Sequence, residues 1–129
     1  MIQIFDKKGF TVLKTIDSTT LRDADLNGCE LSEANMIEYD LCSAQLRGAN
    51  LRDADLRLAR LDQADLRDAD LTNANLAGAN LSAARLQGAT LMDATLTDTL
   101  LPADFSRQQP GLNRLSAIRV STDNTAKKN

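Results

Sequence analysis

Leucine stands at every fifth position from Leu21 to Leu101, and Met36 takes the one place in the series where it does not. Two residues before these centres stands Ala, replaced only by Thr19, Cys29, Tyr39 and Thr99, so the unit reads A-(D/N)-L-x-x, repeated seventeen times. A spacing of five cannot make a helical stripe, because at about 100° per residue successive leucines would step by about 140° and scatter around the axis. Nor can it make a flat strand, since a side-chain period of two would throw alternate leucines onto opposite faces. The chain must therefore turn a corner in every unit, giving a coil with short flat sides and Leu and Ala inside. Aromatic residues make up 3% of the chain and there is no Trp, which fits a narrow interior built without large rings.

The units Ala54-Asp55-Leu56, Ala64-Asp65-Leu66, Ala69-Asp70-Leu71 and Ala74-Asn75-Leu76 resemble the consensus of the pentapeptide repeat family, and the resemblance extends over residues 19–101. It implies an all-β fold, a right-handed quadrilateral parallel β-helix with four units and twenty residues per coil. Seventeen units would make about four coils stacked about 4.8 Å apart by parallel backbone pairing, a rod on the order of 20 Å tall.

The ends depart from the repeat, and the chain reads as a single domain over 1–129. Residues 1–18 predict a β-hairpin cap, with strands Ile2 to Phe5 and Phe10 to Ile16 around a turn at Asp6-Lys7-Lys8-Gly9. Its apolar residues are placed to cover the first coil, whose core and backbone edge would otherwise lie open. Residues 102–120 predict a C-terminal cap: Pro102 stops the repeat, Phe105 follows, and Leu112, Leu115 and Ile118 fall at helical spacing after Pro110-Gly111. In gyrase-protecting members of the family a C-terminal helix pairs two rods, so the resemblance leaves both a monomer and a homodimer through this segment open. The polar tail, residues 121–129, predicts disorder.

The chain contains no histidine, which removes the commonest general base, most zinc sites and every Ser-His or Cys-His pair. No enzymatic activity, cofactor or metal is expected. Cys29 takes an inward, Ala-equivalent place; Cys42 follows a centre Leu and should face solvent; both read as reduced thiols. Glu33, Asp53, Asn73 and Asp93 form a column of coil-spaced residues, but a convex rod gives two carboxylates no pocket in which their pKa values could be driven apart. Arg47, Arg52, Arg57, Arg60 and Arg67 crowd the middle of the repeat, yet a twenty-residue coil spreads them into a ring, with Arg47 above Arg67. Cross-coil pairs Asp40 with Arg60 and Asp65 with Arg85 would account for much of that pattern, and direct nucleic-acid binding is not expected. With no leader pattern and no apolar run near the roughly 18 residues of a membrane span, the expected location is the cytoplasm, away from membranes.

Two functions stay in view: a protein-interaction or scaffold module for an unidentified protein partner, and a DNA-mimicking regulator or protector of a type II topoisomerase such as gyrase, which the family resemblance implies. Residues 19–101 carry fourteen acids against seven arginines. Spread over roughly 20 Å, that is a dilute copy of the one charge per about 1.7 Å along duplex DNA. An interaction module would instead be marked by a contiguous apolar or single-signed face. Ile37, Leu58 and Met92 are apolar at outward positions, and Ile37 and Leu58 could share one side. Tyr39 in an inward place reads as a packing adjustment under the N-terminal cap. Ile37, Leu58, Arg47, Arg52, Arg57 and Arg67 are the candidate surface contacts.

Overall fold

A computed structural model describes residues 1–108 and 119–120. Its main body is a stack of coils related by a shift of twenty residues: parallel bridges join Asp25 to Gln45, Gln45 to Asp65 and Asp65 to Arg85, and the same spacing runs through to Asn80 and Leu100. Only one residue of each five-residue side is bridged, so most sides meet as single rungs rather than as long strands. Leu26 donates its N–H to the Gln45 carbonyl at 2.7 Å, and Gln45 donates to the Ala24 carbonyl at 2.8 Å. This reciprocal rung repeats at every side from Leu26 to Leu81.

The corners explain the five-residue unit. The second residue after each centre has positive φ, at all sixteen such positions from Asp23 to Asp98; four are Gly and twelve are not. The residue after it, usually Ala, donates its N–H to the centre Leu carbonyl at 2.9–3.2 Å, closing a four-residue turn with the type II signature. The Asp or Asn preceding Leu has a separate task. Asp25, Asn35, Asp40, Asn50, Asp55, Asp65, Asp70, Asn75 and Asn80 each accept, at 3.0–3.3 Å, the N–H two residues on. That donor sits at the corner, where the ladder offers it no backbone acceptor, and a short Asx side chain is the right length to reach it.

Inside, the centres from Leu26 to Leu96 and the alanines from Ala34 to Ala94 are almost wholly buried and form one continuous core. Ala keeps opposite walls close enough for the leucines to fill the space between. Thr99, in an Ala place, is buried and donates its hydroxyl to the Leu76 carbonyl at 2.7 Å.

At the N-terminus β1 (Ile2–Phe5) and β2 (Val12–Ile16) form an antiparallel hairpin. The second strand begins later than the sequence predicts. Asp6 captures the Phe10 and Thr11 N–H groups with its carboxylate and Thr11's carbonyl with its own N–H, which widens the turn and leaves Phe10 outside the strand and 86% exposed. The hairpin rests on the first coil through Lys7 N–H to the Glu33 carbonyl and Asn35 N–H to the Phe5 carbonyl, both 2.8 Å. Ile4 is buried in the core, with Ile2, Leu13 and Ile16 packed against it.

In the last coil β3 (Thr95–Leu96) pairs in parallel with β4 (Arg119–Val120), and beyond the repeat α1 (Phe105–Gln108) makes a single helical turn. The expected helix after Pro110-Gly111 lies outside the described residues, as does the expected disordered tail. Within α1, Gln108 is buried and substitutes for the next coil: its side-chain carbonyl accepts the Leu86 N–H and its amide donates to the Ala84 carbonyl. These are the two bonds that the backbone N–H and carbonyl of one residue of an adjacent coil make elsewhere in the ladder, as Gln45 does for Leu26 and Ala24. Asp104 Oδ1 holds the Gln108 amide from the other side at 2.7 Å.

Candidate interaction surface

Residues that differ by twenty lie above one another, so the columns 37, 57, 77, 97 and 38, 58, 78, 98 run side by side along one surface of the rod. They hold a shallow depression of about 410 Å³ lined by Ile37, Arg57, Leu58, Ala77, Gly78, Thr97 and Asp98. Ile37 and Leu58 thus share one side. Leu58 is the unusual member. It occupies a corner with φ of 61°, a region that bulky side chains rarely adopt, and is nevertheless 56% exposed. Its side chain leans along the axis onto Gly78: a Cβ on Gly78 would fall 2.7 Å from Leu58 Cδ2. Gly78 therefore does two things, taking the positive φ of 72° and leaving room for Leu58 above it. The residue list alone did not reveal this partnership, although reading position 58 against 78 in twenty-residue columns would have.

The arginines are held by aspartates. Arg57 and Arg67 each make a two-pronged contact with the Asp two residues earlier, Asp55 and Asp65, through Nε at 2.9 Å and Nη2 at 2.7 Å. Those contacts hold the Asp55 and Asp65 carboxyls below the ordinary value of 3.8 against the opposing effect of burial, and raise both guanidinium pKa values. Cross-coil pairs do occur, but with other partners than expected: Arg22 with Asp40 and Arg52 with Asp70, both 3.1 Å, and Arg47 with Asp68 at 3.8 Å. Arg60 turns to Asp62 at 3.8 Å rather than to Asp40, which Arg22 already engages. Burial works to raise the Asp40 and Asp70 pKa, and hydrogen bonds outweigh it: from Arg22 and the Cys42 N–H at Asp40, and from Thr72 and Arg52 at Asp70. Arg47, Arg52, Arg57 and Arg67 consequently form no bare basic patch.

Cys42 corrects an expectation. It is 6% exposed rather than solvent-facing, because the next coil brings Asp62 over it and its Sγ lies 3.2 Å from Asp62 Oδ2. Cys29 packs half-buried against the core, and the two thiols are not joined. Met92 is outward and 39% exposed. Tyr39 packs against the core beside the hairpin and borders a second depression, of about 290 Å³, with Ile2, Thr19, Thr20, Leu21 and Asp40. Glu33, Asp53, Asn73 and Asp93 all stand at positive-φ corners, the outermost points of the coil, away from both depressions. Among the described residues no helix is long and apolar enough to cross a membrane, and no three His, Cys, Asp or Glu side chains converge as metal ligands.

Comparison with known proteins matches pentapeptide repeats in eight copies, over residues 19–57 and 59–98. Among solved structures, a pentapeptide repeat protein from Nostoc PCC 7120 is 33% identical, over 78% of this chain and 86% of its own, with a TM-score of 0.39. A pentapeptide repeat protein from the Arabidopsis thaliana thylakoid lumen is 32% identical over 80% and 79%, with a TM-score of 0.28. QnrB1, a plasmid-mediated fluoroquinolone resistance protein, is 19% identical over 60% of this chain and 57% of its own, with a TM-score of 0.32. No curated protein matches.

Proposed function

The chain belongs to the pentapeptide repeat family, and on that premise we propose that it is a non-enzymatic protein-interaction or scaffold module acting in the cytoplasm. We take the whole chain, 1–129, as one domain: a right-handed four-sided solenoid of four coils between the N-terminal hairpin and a C-terminal closing segment. The observation that carries the reading is Leu58, a large apolar side chain kept exposed at a corner where glycine would be more comfortable, and set in an apolar depression with Ile37, Ala77 and Gly78. A strained, exposed residue of this kind points to use, because glycine would satisfy the backbone of the corner. Mimicry of duplex DNA is less well supported. Six arginines stand among the acids as ion pairs around the rod, interrupting what would need to be a run of negative charge.

The test is capture of partners from cells that make the protein, comparing the natural chain with Leu58→Ser. Serine is chosen because Ser43 holds the equivalent corner at φ 59°, so the coil tolerates it. A partner held by the natural chain and lost with Leu58→Ser supports the module. Capture of a type II topoisomerase unaffected by the substitution, with inhibition in a supercoiling assay, would replace this reading with DNA mimicry.

A further inference from the structure

The ladder of backbone rungs has a gap at its start. From Leu26 to Leu81 every side is joined to the next coil by two bonds, yet no bridge joins Thr20 to Asp40, and neither Leu21 nor Asp40 donates its N–H to a backbone carbonyl. A depression of about 290 Å³ stands in place of that rung, lined by Ile2, Thr19, Thr20, Leu21, Tyr39 and Asp40. Tyr39 brings a ring there, where the following coils have Ala59 and Ala79. Asp17, Thr19 and Thr20 are exposed. Among the described residues, the N–H groups of this connection bond only near neighbours: Ser18 donates to the Ile16 carbonyl at 2.9 Å, and Thr20 to Ser18 Oγ at 3.2 Å. The first backbone bond to the next coil is made by Asp23, to the Cys42 carbonyl at 3.1 Å.

The hairpin is therefore a unit on a connection, residues 17–20, that the ladder does not hold. Its seat is made by other residues: Lys7 N–H to the Glu33 carbonyl, Asn35 N–H to the Phe5 carbonyl, and Ile4 buried in the core. Charge draws the two parts together, since residues 1–18 hold three lysines against two aspartates while residues 19–101 are acidic, and Lys7 adds its charge to that of Arg57 beside Asp55. None of these contacts depends on which chain supplies the hairpin. We propose that two copies of this chain exchange hairpins: each hairpin leaves its own first coil and seats on the other's, with Ile4 of one copy filling the core of its partner. The product is a pair of rods joined at their N-terminal ends. Extended, residues 17–20 reach about 13–14 Å, the span available for the crossing. Closed and exchanged forms share the same seat, so the balance between them is set by the connection and by protein concentration. An unrelated strand would have to reproduce the Ile4 side chain and both backbone bonds together, whereas a second copy already carries them.

Mass measured by light scattering after size-exclusion chromatography is the first readout. At about 1 mM, after warming to about 10 °C below the melting midpoint, the full chain should form a dimer that returns slowly to monomer on dilution. Deleting Ser18 and Thr19 shortens the connection by about 7 Å, hinders the hairpin from folding back on its own coil, and should raise the dimer fraction several-fold. Restoring length with a Gly-Ser insertion of about four residues should return that chain to monomer. In dimers mixed from isotopically labelled and unlabelled copies, a nuclear Overhauser contact between the Asn35 amide and Phe5 should cross from one copy to the other. A natural chain that stays monomeric under these conditions would overturn the proposal, whether or not the shortened chain folds. So would dimers whose Asn35 amide meets only its own Phe5, as pairing through the C-terminal segment would give. A dimer abolished by Leu58→Ser, which lies outside the exchanged contact, would place the interface on the other surface and equally sink the exchange.

Discussion

A single corner residue can be judged by whether its side chain compensates for its backbone. Leu58 has positive φ and a largely exposed side chain, so Leu58→Gly relieves an unfavourable conformation but gives up the contact with Gly78 and loosens the unfolded chain; these offset one another, and stability should change by less than about 0.5 kcal/mol, read from the urea midpoint at unchanged slope. A larger fall in the midpoint would mean that Leu58 packs for the fold and not for a partner. The Asp residues at the corners give a second handle. Asp55 and Asp65 have folded pKa values lowered from 3.8 by their arginines, so the stability they contribute is fully present above the ordinary value and is lost as pH falls through the lowered folded values. The midpoint should therefore hold steady from pH 7 to about 5 and drop below about pH 4. In Asp65→Asn the N–H acceptor survives but the charge does not, and the drop should be shallower.

At the scale of elements, Gln108 is the point where a side chain does the work of a strand. Gln108→Ala removes the buried side chain that bonds the Leu86 N–H and the Ala84 carbonyl, a cost of about 1–3 kcal/mol, with faster hydrogen exchange at the Leu86 amide as its local sign. Gln108→Glu keeps the acceptor but sets a carboxylate against the Ala84 carbonyl. Burial should raise the pKa of the new carboxyl, so this variant should be weakest near neutral pH and recover as pH falls and the carboxyl becomes a donor. The elements were unequally legible in the sequence. The five-residue Leu period carried the repeat, since no helix or flat strand can satisfy it. The corners were legible too, had the second residue after Leu been read as a column: those sixteen positions contain no Val, Ile or Thr, the residues least able to take positive φ. Cys42 was misplaced because its burial depends on Asp62 twenty residues on, and Phe10 because one carboxylate, Asp6, redefined a turn. Gln108 could not be foreseen from composition, since its role depends on where the open edge of the last coil falls.

For the molecule as a whole, each coil contacts only its neighbours, so opening should begin at the ends and not in the middle. Amide exchange is expected to be slowest across residues 41–80, which have a paired coil on both sides, and faster toward residues 21–30 and 86–95, where covering is partial. Uniform protection throughout the repeat would indicate a fully cooperative unit instead. Of the site, Ile37 and Leu58 were legible as apolar residues in outward places, whereas their union with Gly78 depended on the twenty-residue stacking.

That stacking also makes the rod a compact spool of chain. One turn of twenty residues holds roughly 70 Å of extendable length at about 3.3–3.6 Å per residue, wound into about 4.8 Å of height. Pulled from its two ends, the protein should pay out in increments of about 65 Å as single turns detach, each peeling at nearly the same force because every turn is held by the same set of rungs.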